Sequence, residues 1–231
     1  MTTPHSIAPE AGADPQGLLF VASDIDTADD AEFNRWYDRE HVEERVRIPG
    51  FLSGARYVSL GDGRKYLGLY RTRSLDVFRS ADYRAAFERQ TPWSVEQLGR
   101  MRAPMRRVCA MRAVTGFGSG SHLAILPIAP AGNAQAAETL VARATEAGRR
   151  LWSQAGFVRS YLLVPDAELS TPLPRESTEG RVLQPMLVIE SSGAEVSRFA
   201  CDMAAGAMDT DPAAAWLLAL GWKLTAADLA D

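Results

Sequence analysis

"FLSGARYVSLGDGRKYLGLYRTR" (residues 51–73) consists of two runs rich in aromatic, β-branched and other apolar residues, joined by Gly61-Asp62-Gly63. Residues that tolerate positive φ between two such runs predict a β-hairpin, with strands over 51–60 and 65–73. The flanks decide what the hairpin belongs to. Upstream, "GLLFVASDID" (17–26) is an apolar run ending in acidic turn formers and predicts a strand. A helix of about 16 residues follows, capped by Asp29 or Asp30 and stopped by Pro49-Gly50. Downstream, residues 74–90 and 93–101 have helical spacing, with Ser74 as a cap, and "RRVCAMRAV" (106–114) predicts a strand. The order is βαββαβ.

Gly116-Phe117-Gly118-Ser119-Gly120 then reads as a flexible joint, after which the order begins again. Strands are predicted at 122–128, 156–165 and 182–190, and helices at 134–154 and 193–206. Gly50-Phe51 matches Gly156-Phe157 at an offset of 106 residues, and Leu18 to Val21 aligns with Leu123 to Leu126, which reads as a duplication. The final stretch, "PAAAWLLALGWKLTAADLAD", reads two ways: its first part spaces like a helix, and Trp222-Lys223-Leu224 like a last strand. A βαββαβ unit is the ferredoxin-like plan, an antiparallel sheet with two helices on one face and the other face bare. Two copies in one chain bury both bare faces against each other. The fold class is therefore α+β: tandem ferredoxin-like βαββαβ repeats forming an intrachain α/β barrel. The expected division is a disordered leader over 1–16, a motif-bearing repeat over 17–116 and a degenerate repeat over 121–231.

The chain has 231 residues, 46% hydrophobic and 23% charged, enough apolar surface for a substantial core. A formal net charge of −4, from 25 basic and 29 acidic residues, gives no reason to expect nucleic acid as a partner. The local exception is Arg100, Arg102, Arg106, Arg107 and Arg112, read as a solvated helix end running into a strand, with a carboxylate site as the alternative. Cys109 and Cys201, far apart and in apolar company, read as buried thiols of a reducing compartment. "MTTPHSIAPEAGADPQ" (1–16) has neither a basic start nor an apolar run, and no stretch approaches the roughly 20 apolar residues of a membrane span. A cytoplasmic location without membrane partners is expected.

Candidate chemistry concentrates in the first helix. At about 100° per residue, Phe33, Trp36, Tyr37 and Ile48 share a broad side with Glu40, His41 and Glu44. Burying a lone carboxylate costs several kcal/mol, so such an acid needs a partner or a wet cavity. Arg56, on the strand face of Leu52, Gly54, Val58 and Leu60, is the expected partner. One reading makes His41 a general acid or base, oriented or replaced by Glu40 or Glu44. Tyr37, Tyr57 and Tyr66 then donate hydrogen bonds to a substrate oxygen, and Trp36 and Trp93 stack on a ring. The plainer reading ties the helix to the next strand through Glu40 and His41 and leaves the aromatics as core.

Other constellations are thin. His5, His41 and His122 lie in different elements, so no metal site is expected. Gly116 to Gly120 lacks the following helix of a nucleophile elbow, and no dinucleotide or phosphate-loop motif occurs. No cofactor is expected, although His122 is a conceivable axial ligand for a haem. The second half's first helix is Ala-rich, ends in Arg149-Arg150-Leu151-Trp152 and has no histidine, so one half alone is expected to carry the polar groups of a site. The polar connection from Asp166 to Gly180 is long enough to rim one.

Asn34, Trp36-Tyr37, Glu40-His41, Ile48-Pro49-Gly50-Phe51 and Arg56-Tyr57, with Tyr66, Tyr70, Ser80 to Tyr83 and Thr91-Pro92-Trp93, form a pattern over roughly residues 17 to 115. It resembles the dimeric α/β-barrel superfamily and, within it, the EthD-like proteins and their bacterial relatives. The resemblance implies a tandem ferredoxin-like barrel in small-molecule degradation or biosynthesis, some of whose relatives bind haem. Three functions follow as expectations. The first is cofactor-independent proton-transfer chemistry (isomerase, cyclase or lyase) on a small hydrophobic or aromatic carbonyl compound. The second is non-catalytic binding of such a molecule by an accessory protein, and the third a haem- or oxygen-using barrel. A homodimer is possible on this pattern.

Overall fold

A computed structural model describes residues 15–61 and 63–230. The first half contains β1 (Gly17–Asp24), α1 (Asp30–Trp36), a π-helical turn (Tyr37–His41), α2 (Val42–Val46), β2 (Phe51–Ser59), β3 (Tyr66–Thr72), α3 (Ala81–Glu88), α4 (Pro92–Arg100) and β4 (Arg102–Gly116). The second contains β5 (His122–Pro127), α5 (Ala134–Leu151), β6 (Phe157–Pro165), β7 (Met186–Ser191), α6 (Ala194–Met208) and β8 (Trp216–Thr225). The eight strands close in the order β1-β3-β2-β8-β5-β7-β6-β4, and every neighbouring pair is antiparallel. Within the first half the order is β4-β1-β3-β2 and within the second β8-β5-β7-β6, the same arrangement. Two seams join them: β2 with β8, from Ser53–Thr225 to Ser59–Leu218, and β4 with β6, from Cys109–Pro165 to Gly116–Arg159.

Strand alternation sorts side chains into three cores. Leu18, Phe20, Tyr57, Leu67, Ile125 and Val188 point into the barrel. Leu19, Trp36, Tyr37, Phe51 and Tyr70 pack between the first half's sheet and its helices, and Ala124, Leu126, Ala144, Ala200 and Ile189 do so in the second. Gly50 and Gly156 carry φ of +95° and +84° just before the matching strands β2 and β6, a conformation that costs a residue with a Cβ.

Several expectations are corrected. The helix predicted over 74–90 is a 3-10 turn at Leu75–Arg79 followed by α3. Ser80, extended at ψ 156°, caps α3 by accepting the Tyr83 N–H, and Ser74 makes no such bond. The break seats Phe78 in the core between sheet and helices. The last stretch resolves as β8, because a strand there supplies the seam to β2. Arg106 and Arg107 are buried, not a solvated helix end, since the 166–185 connection lies over them. The leader expectation lies outside the described residues up to position 14; Gln16 already accepts the Met111 N–H and a hydrogen bond from Arg71. Asp62 of the hairpin turn also lies outside them. Cys109 and Cys201 are free and buried. No helix among the described residues is long and apolar enough to cross a membrane.

Candidate functional site

The first helix is regular up to Trp36, and its next turn is π-helical, with the Val42 N–H reaching back to the Tyr37 carbonyl. In an unbroken α-helix Trp36 and His41, five residues apart, sit about 140° apart. The wider turn reduces that offset, and the two rings stack with centroids 4.3 Å apart. Tyr37 and Tyr70 present edges to the same imidazole at 5.0 and 6.1 Å. Their hydroxyls are linked, Tyr70 donating to Tyr37 at 2.9 Å. Tyr37 lies directly on β3, where a Cβ at Gly68 would stand 2.0 Å from its hydroxyl.

His41 lines a cavity of about 380 Å³ between the helices and the outward face of β1. Leu19, Val21, Leu98 and Met101 give it apolar walls, and Arg45, Tyr70 and Arg106 add polar groups. Leu173, Pro174 and Arg175, from the connection between β6 and β7, cover one side, so the second half rims a site seated in the first. Glu176 holds that connection down: its carboxylate accepts from Arg107 at 2.5 Å, Arg181 at 2.7 Å and the backbone N–H groups of Arg106 and Leu173. Arg106 completes the clamp by donating to the Leu169 and Thr171 carbonyls.

Burial, and secondarily the Arg45 guanidinium, holds the His41 pKa well below the usual imidazole value, so the ring is neutral at pH 7. Its Nδ1 is buried without a hydrogen-bond partner. Burial pushes Tyr37 up to about 12 and Tyr70 well above the usual phenol value, so both hydroxyls stay protonated. Tyr37, packed on Gly68, is not among the lining residues; the neutral imidazole, the Tyr70 phenol and the guanidinium groups around an apolar space can exchange a proton with a bound molecule and stabilise negative charge on its oxygen.

The other expected site residues are placed elsewhere. Trp36 is fully buried behind His41 and donates to Ser94. Glu40 accepts from Thr91 and Ser94 at the start of α4, and Glu44 faces the same Ser94 hydroxyl at 3.4 Å. Adjacent helical residues diverge by about 100°, so Glu40 points away from His41. Burial and the neighbouring Glu40 raise the Glu44 pKa. Arg56 is buried on Asp38, with two bonds of 2.9 Å, instead of on Glu40 or Glu44. Tyr66 bonds Asn34 and Asp30, and Trp93 donates to Glu32 beneath the Arg35 guanidinium. Tyr57, one residue after Arg56, faces the barrel interior. That interior also holds an ion pair from the second half, Arg159–Glu190 at 2.5 Å with Tyr161 on the same carboxylate, so ionisable groups are not confined to the first.

Sequence reasoning did not single out Arg45 or Tyr70 as cavity residues; it reached Arg106 only through the basic cluster's alternative as a carboxylate site, and residues 173–175 only as part of a connection long enough to rim a site. Arg45 was accessible to it, because it stands four residues after His41 and shares its helix face.

No protein-family model matches the sequence, and neither does any curated protein sequence. Solved structures do match. An anthrone oxidase-like protein superposes with a TM-score of 0.61 at 9% identity, over 94% of this chain and 95% of that one. A protein from Lactobacillus acidophilus NCFM assigned as a monooxygenase gives 0.60 at 10% identity, over 92% and 97%. A mutant chlorite dismutase from Candidatus Nitrospira defluvii gives 0.51 at 12% identity, over 90% and 92%. The chain has the ferredoxin-like α/β-barrel fold. These likenesses are of fold and do not single out the EthD-like proteins within it. A haem on His122 has no fit here: the residue opens β5, its Nδ1 lies 3.0 Å from the Ser121 hydroxyl, and it lines neither the cavity beside His41 nor those around α5 and the 166–185 connection. Among the described residues no group of three His, Cys, Asp or Glu side chains is placed to hold a metal ion.

Proposed function

We propose that the cavity beside the first helix binds a small hydrophobic or aromatic carbonyl compound and that His41 exchanges a proton with it, without a cofactor. The supporting observation is a buried, neutral imidazole with an unpartnered Nδ1 in the wall of an apolar cavity. A neutral imidazole accepts a proton from carbon next to a carbonyl, and a nearby guanidinium stabilises the enolate oxygen that results. Isomerisation, cyclisation and lyase chemistry all begin with such a step. Glu40, engaged at Thr91 and Ser94, has a positioning part, docking α4 against the first helix.

A second reading, non-catalytic binding in the same cavity, is favoured by one feature: neither Glu40 nor Glu44 hydrogen-bonds His41, so among the described residues no carboxylate orients the ring. Solvent deuterium exchange separates the two. An enolisable aromatic ketone such as 2-tetralone is incubated with the protein in D₂O and followed by NMR. His41→Gln is expected to slow exchange about 100-fold or more while leaving ketone binding within a few-fold of wild type. Equal loss of exchange and binding, or of neither, counts against proton transfer by His41. Two fold neighbours are named as an oxidase-like protein and a monooxygenase, so oxygen uptake is measured in the same samples.

A further inference from the structure

Arg45, Arg56, Arg106, Arg107 and Arg159 are each 7% exposed or less. A guanidinium stripped of water is costly unless a counter-charge accompanies it. Three of the five have one: Arg56 meets Asp38 at 2.9 Å, Arg107 meets Glu176 at 2.5 Å and Arg159 meets Glu190 at 2.5 Å. Arg45 and Arg106 pair with no carboxylate among the described residues. Both line the cavity beside His41, and among the described residues no acidic side chain joins them in its wall.

The partners they do have are neutral. Arg45 reaches the Ala86 carbonyl at 3.4 Å through Nη2 and lies over the Phe87 ring, while its Nε and Nη1 are buried without partners. The acids beside it in sequence are turned away, Glu43 to Arg47 and Glu44 toward Ser94. Arg106 donates to two carbonyls and the Tyr83 hydroxyl, and its Nε is buried without a partner. Among the described residues, the wall of one apolar chamber thus holds two buried positive charges, guanidinium nitrogens without hydrogen-bond partners and no anion.

We infer that the missing counter-charge is the ligand's own: the cavity takes a compound that carries a carboxylate on an aromatic or alicyclic body, with the carboxylate on Arg45 and Arg106. This rests on the proposed ligand site and narrows its substrate to an acid. About 380 Å³ suits one or two fused rings with a small substituent, at the lower end of the roughly 300–1,000 Å³ of small-molecule sites. The charged end sits against Arg45, one helical turn beyond His41, which leaves the ring system to lie along Leu19, Val21, Leu98 and Met101.

The test uses 2-naphthoate and its uncharged counterpart 2-naphthamide, titrated into the full-length protein at pH 7.5 by calorimetry. Wild type is expected to bind the acid at least about tenfold more tightly than the amide, the scale of a hydrogen-bonded charge. Arg45→Met, which keeps the volume and removes the charge, is expected to abolish most of that preference while still binding the amide. Equal affinities in wild type, or tighter binding of the amide, overturn the inference and leave the ligand site standing. An undiminished preference in Arg45→Met overturns the role of Arg45. Failure of both compounds to bind wild type at millimolar concentration overturns the inference and the proposed site together. The wild-type comparison decides the matter even if the variant fails to fold.

Discussion

His41, the proton carrier of the proposed function, also has a stability signature. In the unfolded chain an imidazole titrates near 6.5; in the folded chain burial and Arg45 hold it well below that. Between the two values the unfolded chain binds more protons, so stability falls as pH drops below about 6.5 and levels only once the folded ring titrates. Urea midpoints measured from pH 8 to 5 are expected to fall more steeply for wild type than for His41→Gln. Parallel curves would show that the ring is not buried neutral. The Arg56–Asp38 pair gives a second residue-scale prediction. Arg56→Ala leaves Asp38 half-buried without its partner and is expected to cost about 3 kcal/mol in chemical denaturation. A loss within 0.5 kcal/mol, about the size of an ordinary surface substitution, would contradict the pairing. Gly68 shows what the sequence conceals at this scale. A glycine in a strand reads as a weak point, yet its missing Cβ is the space the Tyr37 hydroxyl occupies.

At the scale of elements, the π-helical turn and the 166–185 connection shape the site. Helical spacing was legible from residue 30 to 46, and so was the rank of Trp36, Tyr37 and His41 as inward residues. The single wider turn was not, because periodicity over so short a stretch does not distinguish a turn closed by i→i+5 hydrogen bonds from one closed by i→i+4 bonds. The connection was legible as a long polar loop near a site but not as a clamp, since Glu176 and Arg107 are brought together from 69 residues apart. Glu176→Gln removes the charge that Arg107 and Arg181 share and is expected to loosen this segment while sparing the barrel. Limited proteolysis should cut the variant between residues 168 and 182 several-fold faster than wild type, with unchanged far-ultraviolet circular dichroism. Equal cutting rates would mean that the remaining contacts, those of Arg106 with Leu169 and Thr171 and of Ser170 with Val108 among them, hold the segment without the Glu176 charge.

On the scale of the whole molecule, the barrel interior is shared: Leu18, Phe20 and Leu67 of the first half pack with Ile125, Val188 and Leu218 of the second. Separating the halves would expose both sheet faces and break two strand seams. We therefore propose that the halves unfold together despite their separate helix layers. Thermal melts followed by tryptophan fluorescence, which samples Trp36 and Trp93 in the first half and Trp152, Trp216 and Trp222 in the second, and by far-ultraviolet circular dichroism are expected to coincide in a single transition. Two resolved transitions would show that each half is stable alone.

The sequence by itself determined seven of the eight strands in their chain order, the βαββαβ order of the first half and its recurrence as far as the second helix of the second, the inward rings of the first helix and the hairpin that follows it; the last strand it left open. These depend on alternation, helical period and turn chemistry, which act over a few neighbouring residues. Only the tertiary structure decided which charges meet. Arg56 found Asp38 instead of Glu40, Tyr57 went into the barrel, and Arg45 and Arg106 came to share one cavity without a carboxylate. Pairings of this kind depend on angles fixed by packing across tens of residues, to which local periodicity carries no information.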